Sequence, residues 1–158
     1  MTSFDAMNLF AEQLKRNVAN GTKYKTKVVV TPSSVSEKGV ILKVSLLKTV
    51  PDKTYQAKTK QRTVRLRVQV TGRAESQTGL QQAVELIENL DKYLDSENLR
   101  IEEPIEAANG MQSFAKIPNT RIRQTLSPED SFIDSPDSTS VQDVEDNRTI
   151  DITIPMEE

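Results

Sequence analysis

The sequence predicts an α+β fold in which a mostly antiparallel sheet of about four to six strands packs against two helices. The stretch from Arg62 to Thr71 alternates apolar and polar residues, as a strand with one buried face does. Two further stretches repeat apolar residues at helical spacing. With 158 residues, 35% hydrophobic and 4% aromatic, the chain can form one domain with an aliphatic core and some surface arms.

The first helix is predicted from Ser3 to about Ala19. Thr2 and Asp5 fit a capping box at its start, and Asn20-Gly21 is a typical helix stop. Its apolar side comprises Phe4, Met7, Phe10, Ala11, Leu14 and Val18.

Two strands follow this helix. Tyr24 to Thr31 alternates, and its polar face begins with Lys23, Lys25 and Lys27. Val40 to Thr49 is apolar on both faces, because Ile41 and Leu47 accompany the other aliphatic residues. We therefore expect both faces of this second strand to be covered, by a helix or by another subunit.

The segment from Pro51 to Arg62 is polar and mostly basic, with Tyr55 as its one large apolar residue. It joins two strands that we expect to pair. Since it is longer than the usual two to five residues of a hairpin loop, it predicts an extended hairpin arm.

The third strand leads directly into a second helix. Gly72-Arg73-Ala74 is expected to break the strand, and Thr78 with Gln81 fits a capping box for a helix that ends near Asp95. The predicted buried stripe of this helix is Leu80, Val84, Ile87, Leu90 and Leu94. Its exposed face carries Glu85, Glu88, Asp91 and Asp95.

The chain divides into four predicted parts. Residues 1–103 form the α+β core domain, including a short strand at Leu99–Glu102, and residues 104–126 form an irregular insertion with short edge strands. Residues 127–147 are an acidic Pro/Ser-rich tether with seven acids and no Lys or Arg. In residues 148–158, Ile150, Ile152 and Ile154 alternate with polar residues, which predicts a C-terminal strand that pairs with its own sheet or with a neighbour's.

The net charge of −2 conceals a strong asymmetry along the chain. From Lys23 to Arg73, thirteen Lys or Arg face two acids, a balance of +11. From Ala74 to Glu158, six basic residues face nineteen acids, a balance of −13. Such asymmetry indicates either a polyanionic partner for the first half or a second copy that offers its acidic half.

The sequence contains no Cys and no His, which excludes disulfides, thiolate chemistry, imidazole catalysis and the usual zinc sites. It also lacks a Gly-rich phosphate loop and a nucleophile elbow. We therefore expect a protein that is not an enzyme and that needs no cofactor or metal. No apolar run approaches the roughly 20 residues of a membrane span, and residues 1–8 do not resemble a signal peptide, so synthesis in the cytoplasm without a membrane partner is expected.

Basic residues are the main candidates for a binding surface. Arg65 and Arg67 are predicted to share a sheet face with Lys23, Lys25 and Lys27, beside Lys58, Lys60 and Arg62 of the arm. This face is either a patch for a polyanion or acidic surface, or an ordinary solvated face. Only Tyr24 and Tyr55 offer stacking aromatics in this stretch, so we expect contact with a nucleic-acid backbone rather than base readout if DNA binds.

Three segments carry a resemblance to a known family. They are the opening helix from Phe4 to Val18, the strand Val64–Val70 with the helix Leu80–Leu94 that follows through TGRAESQTGLQQAVELIENLDKYL, and the terminal strand RTIDITIP. Their order resembles the tail terminator proteins of tailed bacteriophages and contractile tail machines. The resemblance covers about two thirds of the chain, is topological, and does not extend to residues 105–147.

The resemblance implies a structural virion protein at the tail-neck junction, assembled in the host cytoplasm. Such a protein forms a ring, typically of six copies, that caps the tail tube, and the sheath in contractile tails, and contacts neck proteins and passing DNA. The expected interface residues are Tyr55, Lys58, Lys60, Arg65, Arg67, Glu85, Glu88, Asp91, Ile150, Ile152 and Ile154. Two alternatives stay open: another virion ring component, such as a tail tube or head-completion protein, and a nucleic-acid-binding accessory domain.

Overall fold

The computed structural model describes residues 1–21, 26–32, 39–51, 61–94, 100–106, 110, 112–125, 132–133 and 142–155. Within these ranges lie two helices and eight strands. They are α1 (Ser3–Gly21), β1 (Val28–Val30), β2 (Val40–Pro51), β3 (Gln61–Ala74), α2 (Gln77–Leu94), β4 (Glu102–Glu106), β5 (Gln112–Lys116), β6 (Arg121–Thr125), β7 (Phe132–Ile133) and β8 (Gln142–Pro155). No helix in the described ranges is both long and apolar enough to cross a membrane.

Six of the strands form one sheet in the order β1-β2-β3-β8-β6, and β7 also pairs with β8. β1 runs parallel to β2, whereas every other pairing is antiparallel. β3 pairs with β8 along its whole length, from Gln61 opposite Pro155 to Ala74 opposite Gln142. β4 and β5 form a separate two-stranded sheet. The predicted α+β class, with a mostly antiparallel sheet and two helices, is confirmed.

The hydrophobic core lies between the two helices and one face of the large sheet. The alternating apolar residues of β3, from Val64 to Val70, are fully buried, as the period-two pattern predicts. Facing helical residues include Phe10 and Leu14 of α1, and Leu86 and Leu90 of α2. Because both helices use the same sheet face, the other face of the sheet has no described helix packed on it.

The C-terminal strand is longer and more central than the sequence indicated. β8 begins at Gln142, within the segment assigned to a tether, and it pairs with β3 on one side and β6 on the other. Its first half escaped prediction because the inward positions include Asp146 and Arg148, which interrupt the apolar alternation. Of the two pairings that the sequence left open, the strand adopts the one within its own sheet.

Both helices begin with side-chain caps, although one cap differs from the prediction. In α1, the Asp5 amide donates to Thr2 Oγ1 at 3.1 Å and the Thr2 amide donates to Asp5 Oδ2 at 3.0 Å, which confirms the capping box. In α2, the prediction of Thr78 as the cap was wrong. The Gly79 amide donates to Ser76 Oγ at 3.1 Å, so the helix begins two residues earlier than predicted.

The buried stripe of α2 was also displaced from its prediction. Ile87, Leu90 and Leu94 are buried as expected, together with Ala83 and Leu86. Leu80 and Val84 are only half-buried. The helix keeps its period of 3.6 residues. The side that contacts the sheet is centred on Leu86 and Leu90 rather than on the predicted stripe.

The third strand continues through Gly72 rather than breaking there. Gly72 lies opposite Val40 of β2 and has a φ of 140°, a conformation that favours glycine. A Cβ atom at this position would collide with the carbonyl oxygen of Gly39. Glycine thus allows the start of β2 to approach β3 closely, and the strand extends to Ala74.

The short strands match the sequence only in part. β1 comprises Val28–Val30 rather than Tyr24–Thr31, and residues 22–25 lie outside the described ranges. The strand expected at Leu99–Glu102 is found at Glu102–Glu106, with Pro104 inside it. Proline is tolerated here because β4 pairs with β5 on one side, and no described strand pairs with its other edge.

Candidate functional site

The outer face is the side of the six-stranded sheet opposite the helices. The strand registers align four charged residues in one row across it: Lys48 of β2, Arg65 of β3, Asp151 of β8 and Arg123 of β6. Side chains of directly opposed residues project from the same side of a sheet. The row therefore holds three cations and one carboxylate.

Arg65 forms a bidentate ion pair with Asp151. Its Nε donates to Oδ1 at 2.9 Å and its Nη2 donates to Oδ2 at 3.1 Å. The hydrogen bond and the charge of Asp151 raise the pKa of the Arg65 guanidinium above its usual value. The Asp151 side chain is 13% exposed and that of Arg65 is 44% exposed, so the carboxylate lies beneath the guanidinium within the sheet surface.

Positive charge exceeds negative charge on the outer face. Its described acids are Asp151 and Glu145, and Glu145 accepts hydrogen bonds from Gln69 and Asn147 at 3.1 and 3.2 Å. Among the described side chains, no carboxylate pairs with Arg67, Arg121 or Arg123, or with the two lysines of β2. The described cations of this face are Lys43, Lys48, Arg65, Arg67, Arg73, Arg121 and Arg123.

Two acidic residues of α2 lie on the opposite side of the molecule, one turn before the exposed Lys92 of the same helix. Glu88 of α2 is exposed and Glu85 is half-buried, on a helix whose inner side packs against the sheet. Asp91 belongs to the same helix, but its side chain lies outside the described part of the structure. The sheet therefore separates Arg65 and Arg67 from Glu85 and Glu88, and these groups do not meet within one chain.

Several predicted site residues lie elsewhere. Lys23, Lys25, Tyr55, Lys58 and Lys60 fall outside the described ranges, and Lys27 is exposed immediately before β1. The prediction that Ile150, Ile152 and Ile154 contact a neighbour does not fit their placement. All three are 0% exposed, because the inward face of β8 packs in the core of its own chain.

A second surface feature is the β4–β5 hairpin, which packs against α1. The Gln13 amide group donates to the Arg100 carbonyl at 2.9 Å, and its oxygen accepts from the Glu102 amide at 3.0 Å. Arg16 lies 3.6 Å above the Phe114 ring and 3.7 Å from Glu102. A groove of about 500 Å³ between helix and hairpin is lined by Leu9, Glu12, Lys15, Arg16, Ala19, Glu102, Pro104, Gln112 and Phe114.

The core contains a charged pair that sequence reasoning missed. Arg148 donates from Nε to Oδ2 of Asp146 at 3.1 Å, and the two side chains are 8% and 0% exposed. The signal in the sequence was the pair of opposite charges at positions i and i+2 of a strand, which places both on one face. Within the residues that the structure describes, no cluster of acids could hold a metal ion.

Comparison with known proteins gives likenesses to solved structures, thirteen chains in all. No protein-family model matches the chain, and no curated protein matches it. Among solved structures, the chain is similar to one from the virion of a native gene transfer agent particle, with a TM-score of 0.38 and 11% identity over 91% of this chain and 96% of that one. A likeness at this level carries no argument about function.

Proposed function

We propose that this protein is a structural, non-enzymatic virion protein, a tail terminator that caps the tail tube as a ring and forms the junction with the neck. The observation that supports the proposal is the placement of the basic sheet face and of the acidic residues of α2 on opposite sides of one chain. The basic outer face carries Arg67, Arg121 and Arg123, which have no carboxylate partner among the described side chains, and the helix side carries Glu85 and Glu88.

This arrangement suits a head-to-tail interface. In such an interface each subunit uses two different surfaces, so opposite charges must lie apart on the subunit and come together between copies. Electrostatic complementarity then fixes orientation and accelerates association. If successive copies are related by a closing rotation, the contacts generate a ring, for which six copies is the number expected of a terminator.

Part of the charge asymmetry is neutralised within the chain. Asp151 and Glu145 of acidic β8 lie beside basic β3, and Arg65 is already paired there. The cations that remain for a neighbour are therefore the two lysines of β2, Arg67 of β3 and the two arginines of β6. This distribution makes Arg121 and Arg123 additional interface candidates beyond those that the sequence suggested.

Purified protein at high concentration tests the proposal by native mass spectrometry together with negative-stain class averages. We expect a ring of defined copy number for the wild type and monomers for the variant R67E/R121E/R123E, which leaves the pair of Arg65 and Asp151 intact. A monomeric wild type at every concentration would contradict the proposal. The matched control E145Q keeps the outer face basic and should leave the rings intact.

A second candidate function follows from the same cations. Five outer-face cations without a described carboxylate partner could contact phosphates, as in a nucleic-acid-binding accessory domain. In that case the protein would be a monomer whose DNA affinity falls steeply with salt. The slope of the affinity against salt would decrease by about one for each cation removed.

A further inference from the structure

Among the described residues, large apolar side chains are exposed at Phe4 (63%), at the start of α1, and at two further sites. Leu46 and Leu47 of β2 are 41% and 42% exposed, and Ile105 of β4 is 43% exposed. A contact surface between proteins typically has apolar residues at its centre and polar or charged residues around them.

The first site is a bulge in β2, and we call Leu46, Leu47 and Lys48 the bulge patch. The pairing with β3 shifts register between Leu46 and Lys48, so Leu47 is an additional residue. β1 accompanies β2 only to Val44, whose carbonyl accepts from the Thr31 amide at 2.9 Å. Beyond that point no described strand covers this edge, although the sequence predicted cover for Leu47 by a helix or another subunit.

The second site is the β4–β5 hairpin, and we call Glu103, Ile105 and Glu106 the hairpin tip. The base of the hairpin is fixed by Gln13 and Arg16 of α1, whereas all three tip residues are exposed. An isolated two-stranded hairpin is marginally stable in water unless further packing supports it. An apolar residue between two carboxylates would suit a partner surface that is apolar and cationic.

The two sites lie at opposite ends of α1. At one end, Ser3 Oγ lies 2.7 Å from Thr49 Oγ1, next to the bulge patch. At the other end, Arg16 lies 3.7 Å from Glu102, at the base of the hairpin. Since a helix rises 1.5 Å per residue, these anchors are about 20 Å apart along the helix axis. The sites therefore do not meet within one chain.

We infer that the hairpin tip of one copy docks on the bulge patch of the next copy. The tip meets the edge of β2, so Ile105 contacts Leu46 and Leu47 on the side of Leu66, and Glu106, on the other face of β4, pairs with Lys48 on the outer face. The contact is between side chains rather than an extended strand ladder, because the bulge, Lys48 and Pro51 interrupt this edge. The inference rests on the proposed head-to-tail ring and names a contact between its successive subunits.

Directed disulfide formation tests this contact without background, because the chain has no natural cysteine. L47C and I105C are prepared singly and as the double variant, and are oxidised under conditions in which the wild type assembles. We expect the mixture of the single variants to form a covalent dimer and the double variant to form a ladder up to the ring number. The control pair L47C and E75C should give no covalent product.

The outcomes separate the contact from the ring. Rings of the double variant that yield no cross-link would overturn the contact and leave the proposed function intact. A covalent dimer without higher species would support the contact and contradict the ring. A wild type without rings, together with no cross-link, would overturn both. Circular dichroism of each variant verifies the fold, since both substituted side chains are exposed.

Discussion

Arg65 and Asp151 face each other across β3 and β8, 86 residues apart in the sequence, and share two hydrogen bonds of 2.9 and 3.1 Å. The pair joins the basic first half of the chain to the acidic second half inside one sheet. Part of the charge pairing that the sequence predicted between copies therefore occurs within one subunit. Among the described side chains, Arg67, Arg121 and Arg123 have no such carboxylate partner.

Removing the Arg65 side-chain charge should cost a small amount of stability. R65Q is expected to lower the free energy of unfolding by about 1 kcal/mol, because a bidentate but half-exposed pair lies at the upper end for surface ion pairs. R67Q, the matched control on the same strand face, should change it by less than about 0.5 kcal/mol. Urea unfolding measures both, and 1 M salt should reduce the difference. Equal effects of the two substitutions would contradict the special role of Arg65.

The buried pair of Asp146 and Arg148 should be much more sensitive. R148M leaves a buried carboxylate without this partner and should destabilise the protein by about 3–5 kcal/mol. The double variant D146L/R148M removes both charges and should recover much of that loss. Thermal and urea unfolding of the two variants provide the comparison. A double variant as unstable as R148M would show that the loss arises from packing rather than from the uncompensated charge.

The structure and the sequence pattern place the N-terminal cap of α2 at different residues. S76A removes the oxygen that accepts the Gly79 amide proton, so we expect a loss of about 1 kcal/mol. T78A leaves that bond in place and should be nearly neutral. Chemical denaturation measures both losses of stability. A larger loss for T78A than for S76A would support the capping box that the sequence predicted and contradict the cap at Ser76.

The capping box of α1 should give stability a pH dependence. Hydrogen bonds from the Thr2 amide and hydroxyl lower the pKa of Asp5 below its ordinary value of 3.8. A carboxyl whose pKa is lowered on folding stabilises the fold above its unfolded pKa and loses this effect as the pH falls through the folded pKa. At neutral pH, D5N should therefore have a lower free energy of unfolding than the wild type. In strong acid this difference between the two proteins should become smaller. An unchanged difference from pH 7 to pH 2 would exclude this linkage.

The sequence predicted the parts of the fold that follow a simple period. The burial of Val64 to Val70, and of the apolar side of α1 from Met7 to Val18, required only alternation and helical spacing. Phe4, which the same spacing placed on the apolar side, is 63% exposed. The beginning of β8 was missed because Asp146 and Arg148 occupy inward positions, which look like solvent positions until their pairing is known. Long-range register, which places Asp151 opposite Arg65, depends on the whole sheet and not on any local pattern.

The candidate site was predictable to a similar degree. Arg65 and Arg67 were correctly expected on a polar sheet face, because strand alternation fixes the side to which they point. Arg121 and Arg123 were missed, since β6 lies in a segment whose sequence pattern is weak and belongs to the acidic half of the chain. Their place on the outer face follows from the pairing of β6 with β8.

Charge exchange between two variants tests the head-to-tail arrangement most directly. R67E/R121E/R123E makes the outer face acidic and leaves the pair of Arg65 and Asp151 intact, and E85K/E88K makes the helix side basic. Each variant alone then brings like charges together between successive copies, whereas an alternating mixture restores opposite charges at every interface. Native mass spectrometry should show monomers for each variant alone and rings of alternating subunits for the equimolar mixture. Rings from either variant alone, or monomers in the mixture under conditions in which the wild type forms rings, would contradict the arrangement.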